Sequence, residues 1–224
     1  VGVIDWEALR LSLALGVVTT LCLVPLALLV GRWLAVSAGA ARPFVEAGIT
    51  LPLVLPPTVM GFYLLAAGSP TAPLGRLWQA LFGEALVFSF SGLVAASVLV
   101  NLPFAIQPAA RAFEGVGPIL REAAAACGQP PWRAFWRVEF PLAWRGVLTG
   151  LVLSFAHTLG EFGVVLMVGG AIPGETKTLA ISIYDRVQAY DLAGAGVMAG
   201  VLLMLSLVAV VATFLLGGRR SVGA

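Results

Sequence analysis

The sequence predicts an all-α membrane protein, a polytopic bundle of five transmembrane helices with a weaker candidate for a sixth. Three observations predict it. Hydrophobic residues make up 60% of the 224-residue chain. Charged residues make up only 11%, against about 25% in a soluble domain. The mean hydropathy is +1.00, and the apolar residues fall into runs long enough, at roughly 20 residues, to cross a bilayer core as helices. No water-soluble fold of this size could hide so much apolar surface.

The first run covers residues 8–34. Asp5, Trp6, Glu7 and Arg10 precede it, and it exceeds the roughly 7–15 apolar residues of a signal-peptide core without showing a small-residue cleavage site. It therefore reads as the first span. The second covers 45–67 and carries Pro52, Pro56 and Pro57; the third covers 86–110 and carries Pro103 and Pro108. The fourth covers 144–168 and holds Glu161, and the fifth covers 192–216. Residues 178–187 are apolar but short, so a re-entrant or interfacial helix is expected there, with a sixth span the weaker alternative. Each intramembrane proline removes a backbone donor. The freed carbonyls then need partners in neighbouring helices or in water. The prolines thus point to helices around a cavity or, equally, to kinks that serve packing.

Lys and Arg in short loops set orientation. With five spans, one side holds Arg32, Arg42, Arg111, Arg121, Arg133, Arg137, Arg145, Arg219 and Arg220. The other holds Arg10, Arg76, Lys177 and Arg186. The imbalance places the first side, with the C-terminus, in the cytoplasm and the N-terminus outside.

The net charge of +2 is too small and dispersed for nucleic-acid binding. Cys22 and Cys127 sit in unlike settings and imply neither a disulfide framework nor a metal site. His157 and Glu161 share a helix face, but two ligands fall short of the three that a catalytic zinc takes, and the chain has no second histidine. With no G-x-S-x-G run, an intramembrane hydrolase is also disfavoured. A passive channel or scaffold would need no patterned cytoplasmic loop.

Such a loop is present at residues 111–145, RAFEGVGPILREAAAACGQPPWRAFWRVEFPLAWR. Pro118 suits the first turn of a helix and Gly128 its C-terminal cap. A second helix is expected from Pro131 to about Phe140, where Pro141 follows. Trp132, Phe135, Trp136 and Phe140 approach an i, i+3, i+4 pattern on it. Isolated helices this short are marginal in water, so the pair must pack against something. The membrane surface and a cytoplasmic partner are the two candidates.

Glu122-Ala123-Ala124, followed at fixed spacing by Gly128, Val138 and Phe140-Pro141, resembles the EAA motif of ABC-importer permeases, with Val138 and Phe140 standing for the usual isoleucine and leucine. LPLVLPPTVMGFYLL (51–65), HTLGEFG (157–163) and IPGETKTLAISIY (172–184) resemble the molybdate/tungstate branch of that family. His157 departs from the arginine expected of relatives. The resemblance implies one transmembrane domain over 1–224 that forms a homodimer. It implies two ATP-binding subunits on the cytoplasmic face and an external oxyanion-binding protein, with no cofactor in the chain itself. No G-x-x-x-x-G-K-[ST] run occurs, so ATP hydrolysis would belong to a partner. The implied cargo is molybdate or tungstate, with sulfate or thiosulfate the alternative, and the implied location is the bacterial inner membrane.

By the same resemblance Glu122, Ala123, Ala124, Gly128 and Pro141 would form the ATPase-coupling contact. Glu161, paired with His157 or with backbone donors, would serve as a gate or structural group. Thr58, Ser154 and Thr158 would offer hydroxyls to the passing oxyanion, since a channel must hold its ion loosely. The Pro173–Lys177 turn would face the binding protein or be a plain surface turn.

Overall fold

The structure, a computed structural model, describes residues 4–217; Arg219 and Arg220 lie outside the described residues. Eleven α-helices follow in order: α1 (Trp6–Val36), α2 (Arg42–Val54), α3 (Pro57–Gly68), α4 (Pro73–Phe82), α5 (Phe90–Glu114), α6 (Gly117–Ala126), α7 (Pro131–Ala134), α8 (Phe140–Gly160), α9 (Gly163–Gly169), α10 (Leu179–Gln188) and α11 (Leu192–Gly217). A π turn, Phe135–Glu139, joins α7 to α8. Among the described residues four helical stretches are long and apolar enough to cross a membrane, or five if the bent pair α2–α3 is one span.

The register of neighbouring helices fixes the topology. Leu15 of α1 clusters with Leu93 of α5, Leu23 and Ala27 with Ala105 and Ala109, and Gly31 sits against Ala109. α1 and α5 therefore run parallel, and α2–α3–α4 carry the chain back between them. α8 returns antiparallel: Gly146 faces Pro108 and Ala112, and Gly150 faces Phe104 and Ala105. α11 packs on α8 and α10 and descends again. One end of the bundle thus gathers the α1–α2 turn, α6, α7, the π turn and the end of α11, and with them seven described arginines of the richer set. Here Arg42 bonds Glu114 at 2.8 Å and Arg111 bonds the same carboxylate at 3.1 Å.

Small residues set the packing. A Cβ on Gly150 would lie 2.8 Å from the Ala105 carbonyl oxygen and 3.0 Å from that of Phe104. Gly146 and Gly150 form a G-x-x-x-G stripe that lets α8 approach the backbone of α5. In lipid, where tails are as apolar as leucine, such contact replaces the hydrophobic drive between helices. Asn101, fully buried, ties the same pair, donating to Thr158 Oγ1 at 3.0 Å and to the Ser97 carbonyl at 2.8 Å.

At the opposite end Asp5 caps α1 by accepting from the Ala8 amide at 3.0 Å and takes the Ser182 hydroxyl of α10 at 2.8 Å. Leu179 donates its amide to Ser12 at 2.8 Å. Burial pushes the Asp5 carboxyl up, but the Ala8 amide, the Ser182 hydroxyl and the charges of Lys177 and Arg186 outweigh it and hold the group below its ordinary value. Asp191 is also held low, chiefly by the Gly194 amide.

Three expectations need correction. Residues 45–67 are not one straight span: α2 and α3 meet at 112°, because Pro56 and Pro57 cannot extend the helix before them. Residues 144–168 are not one span either, since α8 ends at Gly160 and Glu161 is extended (φ −67°, ψ 123°) before α9 begins. The second loop helix does not stop near Phe140; it runs into α8. The Phe140 amide bonds the Phe135 carbonyl, five residues back, and this wider turn makes room for the ring of Pro141. The short helix expected over residues 178–187 is present as the ten-residue α10 (Leu179–Gln188), which is too short to span, so the weaker alternative of a sixth crossing there falls away.

Candidate coupling surface and translocation cavity

Two regions hold the predicted residues. The first is α6, at the arginine-rich end. Pro118 lies in its first turn, where a missing amide costs nothing. It ends in a Schellman cap: Gly128 donates to Ala125 O at 2.9 Å and Gln129 to Ala124 O at 3.0 Å. The cap needs the left-handed conformation, and Gly128 adopts it with φ +70°. α6 packs on α7 and the π turn. Ala124 is buried at this contact, while Glu122, Ala123 and Gly128 are exposed. Glu122 makes no hydrogen bond or ion pair among the described residues. Beside it Ile119 is 78% exposed and, on α7, Trp132 is 63% exposed. Pro141 sits apart, in the first turn of α8, on the wall of an open cleft of about 640 Å³ that Arg111, Trp144 and Arg145 also line.

The second region lies mid-bundle, where the two broken helices meet. α3 packs against α9, and Gly163 approaches Pro57 so closely that a Cβ would stand 2.8 Å from the proline ring. Beside this junction is a cavity of about 160 Å³ whose lining includes Pro57, Met60, Phe104, His157, Glu161 and Val164. Glu161 is buried. Its Oε1 accepts from the Val164 amide at 3.0 Å and so caps α9, where the helix dipole favours a negative charge. Its Oε2 lies 4.0 Å from His157 Nε2. The imidazole stacks on Phe104 with centroids 4.3 Å apart. Of the two partners considered for Glu161, the backbone donor is hydrogen-bonded, while His157 lies 4.0 Å away, beyond hydrogen-bond reach.

Of the predicted hydroxyls, Thr58 is exposed on α3 and lies near Gly163. Ser154 and Thr158 do not reach the cavity. Both are buried, and each donates to the carbonyl four residues back, at 2.9 and 2.8 Å, on the face of α8 that packs on α5. Asn101 escaped the sequence reading, although a lone Asn within an apolar span is itself a sign of interhelical bonding. No group of three or more metal-binding side chains exists among the described residues.

A multi-pass helical subunit with two broken helices meeting beside a small cavity, and a short exposed helix held at its arginine-rich end, has the build of a membrane transport permease. The chain belongs to the family of binding-protein-dependent transport system inner membrane components, whose model matches residues 23–217. It is 44% identical over 210 residues to the molybdenum transport system permease protein ModB of Azotobacter vinelandii, covering 94% of this chain and 93% of that one. It is 33% identical over 184 residues to ModB of Escherichia coli K12, covering 82% and 80%. It is also 33% identical over 166 residues to a probable sulfate transport system permease protein, cysT, of Chlorella vulgaris, covering 74% and 62%. Among solved structures, a bacterial ABC transporter that imports the acidic polysaccharide alginate superposes with a TM-score of 0.75 at 17% identity, covering 96% of this chain and 79% of that one. The fold is therefore that of an ABC-transporter permease.

Proposed function

We propose that this chain is the membrane-spanning subunit of a molybdate importer, working as a homodimer with two ATP-binding subunits on its arginine-rich face and an oxyanion-binding protein on the other. One observation carries this above the rest: the 44% identity to a molybdenum permease, extending over nearly the whole of both chains. The positive-inside rule puts the arginine-rich end, α6 and the C-terminus in the cytoplasm and the N-terminus outside. α6, with Glu122 unpartnered among the described residues and Ala123 and Ile119 exposed, is the docking element. Glu122 pairs with a cation of the ATPase, and the alanines admit close approach. ATP binding closes the ATPase pair and shifts the docked helices, which requires that the ATPase bind the two permease states with different affinity.

The pathway follows the junction of α3 and α9. Thr58, His157 and the cavity wall face it. The Glu161 carboxylate is spent on capping α9, which supports a gate or scaffold role rather than contact with a dianion. Ser154 and Thr158 support the α5–α8 seam. The Pro173–Lys177 turn, on the same end as Asp5, is a contact for the binding protein.

The test is uptake by proteoliposomes holding this chain with its ATPase and binding protein. ATP-dependent accumulation of molybdate, competed by tungstate but not by sulfate, is expected. Accumulation of sulfate without competition by molybdate would move the cargo to the alternative that the Chlorella vulgaris relative favours. No ATP-dependent oxyanion uptake would overturn the assignment.

A further inference from the structure

A buried carboxylate lies deep in the arginine-rich end. Glu139, the last residue of the π turn, is 1% exposed. Arg32 of α1 grips it with two bonds, Nε to Oε2 at 2.9 Å and Nη2 to Oε1 at 2.8 Å. Arg121 of α6, the residue before Glu122, reaches the same Oε2 at 3.4 Å. Its other arm donates to the Phe113 carbonyl in the last turn of α5 at 2.6 Å. Phe135 of the π turn packs beside them, with the Arg32 guanidinium 5.6 Å from its ring centre and Phe113 stacked at 5.9 Å. Four separate elements, α1, α5, α6 and the π turn leading into α8, thus meet at one buried anion.

We propose that Glu139 and Arg121 are positioning residues that form the transmission joint of the permease, carrying displacement of α6 into α1 and α8. The inference rests on α6 being the ATPase-docking helix. α6 has ten residues and an apolar contact with α7 and the π turn, which by itself would let it slide. Apolar packing has no direction, whereas a bidentate guanidinium–carboxylate pair holds one geometry. Burying a charged group is costly, and well-packed apolar side chains of the same volume often hold a fold as well or better. A charged joint at this position therefore serves geometry more than cohesion. The π turn, whose five-residue hydrogen-bond span is a local register change of the kind that recurs at functional sites, ends at Glu139, so the joint sits directly at the start of α8, the long helix that it would move.

The experiment uses the complete transporter in proteoliposomes, with Glu139→Gln and Arg121→Gln introduced separately. Arg121→Gln leaves the Arg32–Glu139 pair intact and so tests transmission even if the Glu139 variant fails to fold. Both variants are expected to assemble with the ATPase and to hydrolyse ATP, while molybdate imported per ATP falls about tenfold, within the range seen for coupled sites. Two outcomes overturn the joint: import per ATP unchanged in Arg121→Gln, or import and hydrolysis falling in step with the amount of complex, which marks a merely structural role. Docking is read separately through Cys127, an exposed thiol next to Gly128, loaded with a maleimide photo-cross-linker. A cross-link to the ATPase in the unaltered chain but unchanged coupling in the variants sinks the joint alone. No cross-link in the unaltered chain sinks the docking helix, and the joint with it.

Discussion

Replacing Gly128 separates what the chain needs for itself from what a partner needs. Gly128 holds φ at +70°, so any L side chain there meets the left-handed penalty of about 1–2 kcal/mol, a factor of about 5–30 in the stability of the cap. Asparagine is penalised least, since it serves as a natural alternative at this cap position. Beyond that backbone cost the subunit is indifferent, because no atom lies within 4 Å of where a Cβ would stand. Gly128→Ala, Gly128→Leu and Gly128→Trp therefore impose nearly the same internal cost and differ only in what they present outward. If an ATPase surface lies against this cap, the loss of coupling will grow with side-chain volume, Trp worst, then Leu, with Ala and Asn mildest. The assay is molybdate imported per ATP in proteoliposomes, normalised to assembled complex. Equal losses for Ala, Leu and Trp would refute a partner contact at Gly128 and leave only the backbone requirement.

Three further outcomes are expected. Gly150→Ala drives a methyl to within 2.8 Å of a backbone carbonyl, so α5 and α8 must part by about half an ångström. The overpacking cost of about 1–3 kcal/mol will show as a lower melting temperature in detergent, whereas Gly48→Ala, with open space around it, will not lower it. Asp5→Ala removes a cap worth about 1 kcal/mol. Because the Asp5 carboxyl is held below its ordinary value, its contribution is complete above the unfolded-state pKa of about 3.9 and fades as pH falls through the lower folded value. The stability gap between wild type and variant will therefore be full at pH 7 and close on acidification below about pH 4; a gap unchanged down to pH 2 refutes the capping account. Glu161→Gln keeps an acceptor for the Val164 amide, so complex yield will hold while import changes by about fivefold, the lower edge of a coupled-site effect. Import at the wild-type rate would remove Glu161 from the gate.

The spans were legible because length and apolarity are properties of the chain alone. Their breaks were only half legible. Pro56-Pro57 and Glu161 stand out in the sequence, but a hydropathy window counts residues and has no direction, so a 112° bend and a straight helix score alike. The cap of α6 was legible from Gly128 because only a glycine-favoured conformation closes that turn. Two of the proposed pathway hydroxyls make packing contacts that the sequence reading did not weigh. Ser154 and Thr158 follow Gly150 at four-residue steps, so they share its helix face. That face was already committed to close packing on α5, and the G-x-x-x-G spacing was the available signal. Nothing local pairs Arg32 with Glu139, 107 residues apart; only the fold brings them together.

The two breaks are best understood together. Inside a bilayer every backbone group needs a partner, and irregular backbone survives at that depth only where it is buried in protein or lines a cavity. Here the break in the second hydrophobic run is built from Pro56 and Pro57, which have no amides to leave unpaired. The break in the fourth exposes the start of α9, and Glu161 takes up the Val164 amide there. The two broken ends then sit back to back, Gly163 against Pro57, with the cavity of Phe104, His157 and Met60 beside them. The α5–α8 seam, by contrast, is unbroken and closed by Gly150 and by the Asn101–Thr158 bond. A seam that tight cannot open for an oxyanion without breaking a buried polar contact. A junction of short helices, each already satisfied at its own end, can shift as two rigid pieces. The proposed pathway would therefore open between α3 and α9 rather than along the α5–α8 seam.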